Sequence, residues 1–231
     1  MKCVILQPSY IPWRGVFHQI YKADLFLFLD DVQYDTRGWR NRNRVKTSHG
    51  SIWLTIPVHK KGAQTEKIPI NAVRIAWDTA WNAQHWKTLQ IHYGRAPFFE
   101  QYASQLAEFY QRKDTFLADF TIDLTVLLAR MLGLENTRFA RSSAISAQGS
   151  KTERLISLLQ AVGADHYITG PAAQDYIDEQ LFARAGIHLE YMVYEYPEYP
   201  QLYPPFDPQL SILDLLFMTG PEAPRYIYTR S

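Results

Sequence analysis

The chain has 231 residues, of which 47% are hydrophobic, and its formal net charge is +1 at pH 7. This length suits one α/β domain with an insertion or two small domains, and the composition excludes an intrinsically disordered chain. The single cysteine, Cys3, excludes an internal disulfide framework and a zinc site built from cysteines. Because the sequence shows no signal peptide and no apolar run approaching about eighteen residues, we expect a cytoplasmic protein that does not engage a membrane.

The first quarter of the chain predicts a β-loop-α-β unit. An apolar strand at 4–6 and a helix at 16–22 precede a second strand at 25–29, and a third strand is predicted at 51–58. Lys60-Lys61-Gly62 then reads as a turn. The loop after the first strand is rich in proline and aromatic residues, which a packed core does not require.

The middle of the chain predicts helices. From about Trp77 to Leu132, aromatic and leucine residues recur at helical spacing, and Gly133 is expected to end the last helix. These helices predict an insertion or a subdomain over residues 75–133.

The alternation of strands and helices then returns. Ser150 or Thr152 is predicted to cap a helix that ends at Gly163, and a strand at 164–169 follows. Gly170-Pro171 is predicted to open a helix that runs to Gly186, before a strand at 187–193 and a final helix at 211–217. The fold class is therefore predicted as α/β, a mainly parallel Rossmann-like sheet, with residues 1–74 and 134–231 forming the core domain.

The loop at 7–15 is the first candidate site. Prolines fix its backbone, Gly15 lets the following helix begin close to a ligand, and amides at that helix start can hold a phosphate. Tyr10 or Trp13 can stack on a base or a sugar. The alternative is a rigid strand–helix turn whose rings fill the core.

Asp30 and Asp31 end the second apolar strand. Adjacent side chains on a strand point to opposite faces, so a dyad that shares one proton is not expected. One carboxylate can act as a general base, or it can bind Mg²⁺ together with phosphates. Mg²⁺ is the only cofactor that the sequence suggests. The alternative is a turn or helix cap. His18, one helical turn after Gly15, is a further candidate base.

Residues 37–46 form a basic ribbon with five cations and no acid. On a strand, Arg40, Arg42, Arg44 and Lys46 would share one face, and Trp39, Asn41, Asn43 and Val45 the other. Guanidinium groups suit phosphate and carboxylate, so the ribbon predicts an anion site for a nucleotide sugar, a phosphopantetheine carrier or a tRNA backbone. A charged edge strand that resists pairing is the alternative.

The second half of the chain adds weaker candidates. Gly149-Ser150-Lys151-Thr152 lacks the upstream glycine of a P-loop, but Lys151 and the helix amides can bind an anion, with Glu153 and Arg154 beside them. Tyr196, Tyr199, Gln201 and Phe206 lie in a Pro-rich loop that can close over a ligand. The histidines show no metal-ligand spacing, and Cys3 lacks the setting of an activated thiolate.

Together these motifs resemble the WbqC-like family of bacteria. The blocks that carry the resemblance extend over nearly the whole chain and comprise residues 7–15, 30–34, 39–43, 151–155, 167–170, 199–201 and 211–217. Met218-Thr219 stands where the family pattern leads us to expect an Asn. The resemblance implies a place in O-antigen or other surface-polysaccharide biosynthesis.

The resemblance further implies a transferase that places an acyl or aminoacyl group, such as glycyl, on a nucleotide-linked amino sugar. The donor would be an aminoacyl-tRNA or another acyl carrier, and Asp30, Asp31 or His18 would take a proton from the attacking amine. The expected substrate-binding residues are Gln7, Tyr10, Trp13, Gly15, Trp39, Asn41, Arg42, Asn43, Lys46, Lys151, Arg154, Gly170, Tyr199 and Gln201.

Two alternatives stay open. The β-loop-α-β opening is similar to the nucleotidylyltransferases of the HIGH superfamily, although Trp13-Arg14-Gly15-Val16 lacks both histidines of that motif. A degenerate nucleotidyl-transferring or adenylate-forming enzyme is therefore the second hypothesis. The third is a non-catalytic protein that binds a nucleotide ligand or RNA through the basic ribbon.

Overall fold

The computed structural model describes residues 1–59 and 67–228. The predicted turn at Lys60-Lys61-Gly62 lies outside these residues. The strands of the central sheet are β1 (Lys2–Leu6), β2 (Leu25–Phe28), β5 (Arg138–Arg141), β6 (His166–Thr169) and β7 (His188–Tyr191). They pair in parallel in the order β5-β2-β1-β6-β7, which confirms the predicted Rossmann-like α/β fold.

Seven α-helices surround the sheet in the described part of the chain. Their bounds are α1 (Arg14–Lys22), α2 (Trp81–Tyr93), α3 (Phe99–Phe109), α4 (Leu117–Met131), α5 (Lys151–Ala161), α6 (Glu179–Arg184) and α7 (Ile212–Thr219). None of the helices in the described residues is both long enough and apolar enough to cross a bilayer.

The two faces of the sheet carry different cores, because successive strand residues point to opposite sides. Val4 and Phe26 belong to the larger core, which also contains buried residues of α1 to α4 and of α7. Cys3 and Leu25 face the smaller core, to which α5 and α6 contribute Leu158 and Phe182. The helices at 81–131 share the larger core with α1; the division of the chain into a core domain and an insertion stays a prediction.

Only the second half of the basic ribbon forms a strand. A separate antiparallel hairpin consists of β3 (Arg42–Thr47) and β4 (Gly50–Thr55). Because β3 begins at Arg42, the expected strand alternation does not extend to Trp39 and Arg40. Asn43 and Val45 are buried on one side as predicted, but Lys46 is also buried, with 3% of its surface exposed.

Two other expectations were wrong in detail. The segment expected to be one helix from Gly170 to Gly186 is a 3₁₀ turn at Pro171–Asp175 followed by α6. Ser150 occupies the N-cap position of α5, but its side chain accepts no capping hydrogen bond. The Thr152 hydroxyl instead accepts a bond of 3.1 Å from the amide of Asp178. It therefore joins α5 to the segment before α6.

Candidate functional site

A cleft of about 470 Å³ opens at the carboxyl ends of β1 and β6. The chain leaves β1 toward β2 on one side and leaves β6 toward β7 on the other, so this is the point where the strand order reverses. Open α/β sheets bind ligands in the crevice at such a point. The cleft therefore lies where the topology favours a ligand.

The loop after β1 forms one wall of the cleft and is held in a strained conformation. Ile11 has φ +37°, which a β-branched residue rarely adopts. The Asn43 side-chain amide donates to the carbonyl oxygens of Tyr10 and Ile11 at 3.2 and 2.9 Å, and the amide of Tyr10 donates to the carbonyl of Arg40 at 3.0 Å. Backbone strain that the surroundings enforce in this way is concentrated at functional sites.

Three aromatic rings line the cleft. The Trp13 ring contacts Tyr194 edge-on, with 5.0 Å between centroids, and Trp39 lies on the hairpin side with 41% of its surface exposed. A Cβ on Gly15 would lie 2.3 Å from the Trp13 ring, so only glycine allows the indole to lie across the start of α1. Gly15 thus positions Trp13, whereas we had expected it to bring the helix start close to a ligand.

Arg40 supplies the cationic group of the cleft. Its Nη1 donates to the carbonyl of Gln7 at 3.1 Å, and its Nε is buried without a hydrogen-bond partner in the described chain. Burial lowers the pKa of Arg40, while the nearby Asp35 opposes this shift. Among the described residues, no carboxylate lies at ion-pair distance from this guanidinium. An anionic group of a ligand in the cleft would supply the missing counter-charge.

Gln19 is the most informative polar residue of the cleft. It lies on α1 with only 2% of its surface exposed, and it lines the cleft together with Val16 from the preceding turn. No described residue forms a hydrogen bond with its side-chain amide, and this amide is not among the polar groups that are fully buried without a partner, so it reaches the space of the cleft. A ligand in the cleft can therefore form a hydrogen bond with this amide, which offers both a donor and an acceptor.

The paired acids lie away from the cleft, in a closed cluster at the ends of β2 and β5. Asp30 is fully buried, and its carboxylate accepts from the Ser143 amide at 3.0 Å and the Ser143 hydroxyl at 2.8 Å. The Ser142 hydroxyl lies 3.2 Å from Asp30 and 2.6 Å from Asp31, and Arg154 pairs with Asp31. Both carboxylates reach the same serine because β2 ends at Phe28, so the expected opposite orientation does not apply.

The predicted bases therefore do not reach the cleft. Neither Asp30 nor Asp31 lines it, and His18 faces the other way, with its Nδ1 3.0 Å from the Tyr196 hydroxyl. Burial lowers the pKa of His18, and the charge of Lys22 acts in the same direction. The three groups that the sequence suggested as acid–base catalysts contact protein rather than cleft space.

The remaining predicted binding residues divide into two groups. Trp13, Trp39, Asn43 and Gly170 line the cleft, and the backbone of Gln7 contacts Arg40 there. Asn41 donates to the carbonyl of Ile56 at 2.8 Å, Arg42 lies over the Trp53 ring, and Lys46 bonds to the carbonyl of Pro205. The four cationic side chains of the ribbon therefore do not line up along one face of a strand, contrary to what we expected from the sequence.

Tyr10 and most of the predicted binding residues in the second half of the chain contact other protein groups. The Tyr10 hydroxyl is fully buried, 2.6 Å from that of Tyr110 and 2.9 Å from His85. Lys151 is exposed at the start of α5, whereas Arg154 pairs with Asp31. Gln201 donates to the carbonyl of Asp207 at 3.0 Å, so it braces the Pro-rich loop.

Tyr199 covers a second buried carboxylate, Asp214. The Tyr93 hydroxyl donates to Asp214 Oδ2 at 2.9 Å, and Oδ1 has no donor at hydrogen-bond distance in the described chain. Burial raises the pKa of Asp214 to about 6, against the opposing effects of Tyr93, Tyr199 and Lys46. This group lies beneath the Pro-rich loop and does not line the cleft.

Sequence reasoning missed several residues of the cleft. Val16, Gln19, Tyr194 and Gln209 line it in addition to residues of the predicted loop and ribbon. The signal for Gln19 was available, because it is a polar residue between Val16 and Ile20 on the buried face of a short amphipathic helix. Tyr194 and Gln209 come close only through the course of the chain after β7, which no local pattern encodes.

Comparison with known proteins gives a consistent result. A model of the WbqC-like protein family matches residues 7–226. The uncharacterized protein Rv1507c of Mycobacterium tuberculosis is 41% identical over 228 residues, which cover 98% of this chain and 97% of that protein. No solved structure gives a significant match. The matched region includes the loop, hairpin and helices that form the cleft.

Proposed function

The chain belongs to the WbqC-like protein family, and from this premise we propose that it is a transferase that places an acyl or aminoacyl group on a nucleotide-linked amino sugar. The resemblance to proteins of surface-polysaccharide gene clusters supports this assignment of substrate class. The proposed binding site is the cleft at the carboxyl ends of β1 and β6.

The observation that carries the proposal is the lining of this cleft. Trp13, Trp39 and Tyr194 offer ring faces and edges to a base or sugar, and Arg40 offers one guanidinium to a phosphate. Gln19 adds a buried amide that can bond a sugar hydroxyl or acetamido group. A few polar groups in a mostly apolar cleft are typical of small-ligand sites.

The proposed reaction is direct transfer without a covalent enzyme intermediate. The unprotonated amine of the sugar attacks the carbonyl carbon of an activated ester or thioester, a C–N bond forms, and the C–O or C–S bond breaks. The leaving oxygen or sulfur takes up the proton that the nitrogen releases. The protein contributes orientation, which alone can supply a large rate enhancement.

The test combines product analysis with binding. A panel of nucleotide-linked amino sugars is incubated with the protein and with aminoacyl or acyl donors, and mass spectrometry measures the mass gain of the sugar. Calorimetry measures sugar binding to the wild type and to Gln19→Leu. We expect about tenfold weaker binding by Gln19→Leu, since one such hydrogen bond contributes about 1–2 kcal/mol.

The matched control is Gln160→Leu, which removes an exposed glutamine from α5. It should bind the sugar as the wild type does. No mass gain with any donor, together with equal affinities of the two variants, would refute the proposal. Release of pyrophosphate from ATP during turnover would instead support an adenylate-forming or nucleotidyl-transferring enzyme.

A further inference from the structure

An exposed aromatic–arginine surface, formed by Trp39, Trp53, Arg42 and Arg44, adjoins the cleft on the β3–β4 hairpin. Trp39 and Trp53 are 41% and 45% exposed, and their rings meet edge-on with 4.8 Å between centroids. The Arg42 guanidinium lies 4.9 Å from the centre of the Trp53 ring, and that of Arg44 lies 5.9 Å from it. Trp39 also lines the cleft, so surface and cleft are continuous.

Cross-strand packing explains only part of this arrangement. Arg44 and Trp53 are direct partners in the hairpin register, and such pairs stabilise a hairpin. Hairpin stability does not require two neighbouring tryptophans to remain more than one third exposed. Adjoining exposed apolar groups mark interaction sites, whereas a single exposed ring needs no explanation.

The charge on this surface is only partly neutralised. Arg44 forms an ion pair with Asp207 at 3.6 Å and a hydrogen bond with Gln209. Arg42 donates to the carbonyl of Arg37 at 2.9 Å, and its Nε has no partner. Within residues 1–59 and 67–228, no carboxylate lies at ion-pair distance from Arg37, Arg40 or Arg42. The charge of Asp35 raises the pKa of Arg40, against the effect of burial.

We propose that this surface binds single-stranded RNA, with bases stacked on Trp39 and Trp53 and phosphates held by Arg37 and Arg42. Stacking faces beside unpaired cations are the features that such binding requires. The hairpin presents them at the cleft mouth, so a bound strand would direct its end into the cleft. If the proposed transfer reaction is accepted, RNA binding at this surface identifies the donor as an aminoacyl ester at the 3′ end of an RNA.

The test measures binding of the full chain to a fluorescent single-stranded RNA that ends in CCA, by anisotropy. Trp53→Leu and Arg42→Gln are the informative variants, since neither residue lines the cleft. We expect each to weaken binding at least about fivefold. For two phosphate contacts, the slope of log K against log salt should be about −1.4, and Arg42→Gln should lower its magnitude by about 0.7.

Tyr176→Ala and Arg130→Gln serve as controls, because both residues are exposed elsewhere on the molecule. Wild-type affinity of these controls, together with weakening by the two hairpin variants, supports the proposal. Absence of RNA binding, equal affinity of all four variants, or preference for an acidic carrier protein over RNA would overturn it.

Nucleotide-sugar binding separates this proposal from the preceding one. Trp53→Leu should leave the affinity for the sugar unchanged, whereas Gln19→Leu should leave the affinity for RNA unchanged. RNA binding without sugar binding would overturn the proposed function alone, and sugar binding without RNA binding would overturn the RNA surface alone.

Discussion

Two groups of polar residues lie at the carboxyl edge of the same sheet, and they differ in how far the protein itself satisfies them. At the ends of β2 and β5, Asp30 and Asp31 accept hydrogen bonds from Ser142 and Ser143, and Arg154 adds a counter-charge. At the ends of β1 and β6, the Nε of Arg40 is buried without a partner in the described chain, and the Gln19 amide faces the cleft. The carboxylates at a strand end suggested chemistry, yet the protein satisfies them itself, whereas Gln19 and Arg40 leave polar groups available at the cleft.

The closed cluster should depend most strongly on Asp30. Asp30→Ala leaves the donors of Ser143 without an acceptor, so the free energy of unfolding should fall by about 3 kcal/mol. Urea denaturation measures this change, and Asp78→Ala, at an exposed acid, is the control. The affinity of the folded variant for a nucleotide sugar should stay unchanged; a specific loss of binding would return Asp30 to the ligand site.

Asp214 extends the comparison to a buried carboxylate with one unpaired oxygen. Its folded-state pKa of about 6 lies above the usual value, so the folded chain binds the extra proton first. The free energy of unfolding should therefore rise by about 1 kcal/mol from this group as the pH falls from 7 to 5. The difference between wild type and Asp214→Asn, measured across this range, isolates the effect. A difference that does not change with pH would show that Asp214 does not titrate there.

Gln19 should show the opposite behaviour to Asp30. Gln19→Leu replaces an amide that faces the cleft and bonds to no described residue by an apolar side chain of similar size, so the free energy of unfolding should change by less than about 1 kcal/mol. Thermal and urea unfolding of the ligand-free protein provide the measurement. A loss of more than about 1 kcal/mol would mean that the amide stabilises the protein itself.

The smallest effect is expected at the rim of the closed cluster. Arg154 and Asp31 are 24% and 20% exposed, so their ion pair is partly screened by solvent. Arg154→Gln should lower the free energy of unfolding by about 1 kcal/mol or less, and 1 M salt should reduce the difference. If Arg154→Gln lowered the free energy of unfolding as much as Asp30→Ala does, Arg154 and Asp30 would belong to one cooperative unit.

Local sequence patterns were sufficient for the order and type of most elements. Strands such as β1 and β2 appear as short apolar runs, and the helices α2 to α4 show helical spacing. The parallel arrangement followed from the alternation of strands and helices. The extent of the ribbon strand was less predictable, because its first residues follow the loop that packs against residues 7–13.

The site was less predictable than the fold, because burial and hydrogen bonding decide it. Trp13, Trp39 and Asn43 were expected to bind ligand and do line the cleft. No sequence pattern tells that Ser142 and Ser143 satisfy Asp30, since these residues are more than one hundred positions apart. Nor does any pattern predict that Gln19, among many polar residues, would face the cleft.

The wall that contains Ile11 is braced from distant parts of the chain: by Asn43 of the hairpin and, through the amide of Ile212, at the carbonyl of Pro12. During synthesis, the opening segment therefore leaves the ribosome long before its last support exists. A nascent chain would acquire affinity for its ligand only after α7 has docked. Truncation before residue 212 would remove this support together with the buried residues that α7 contributes to the larger core.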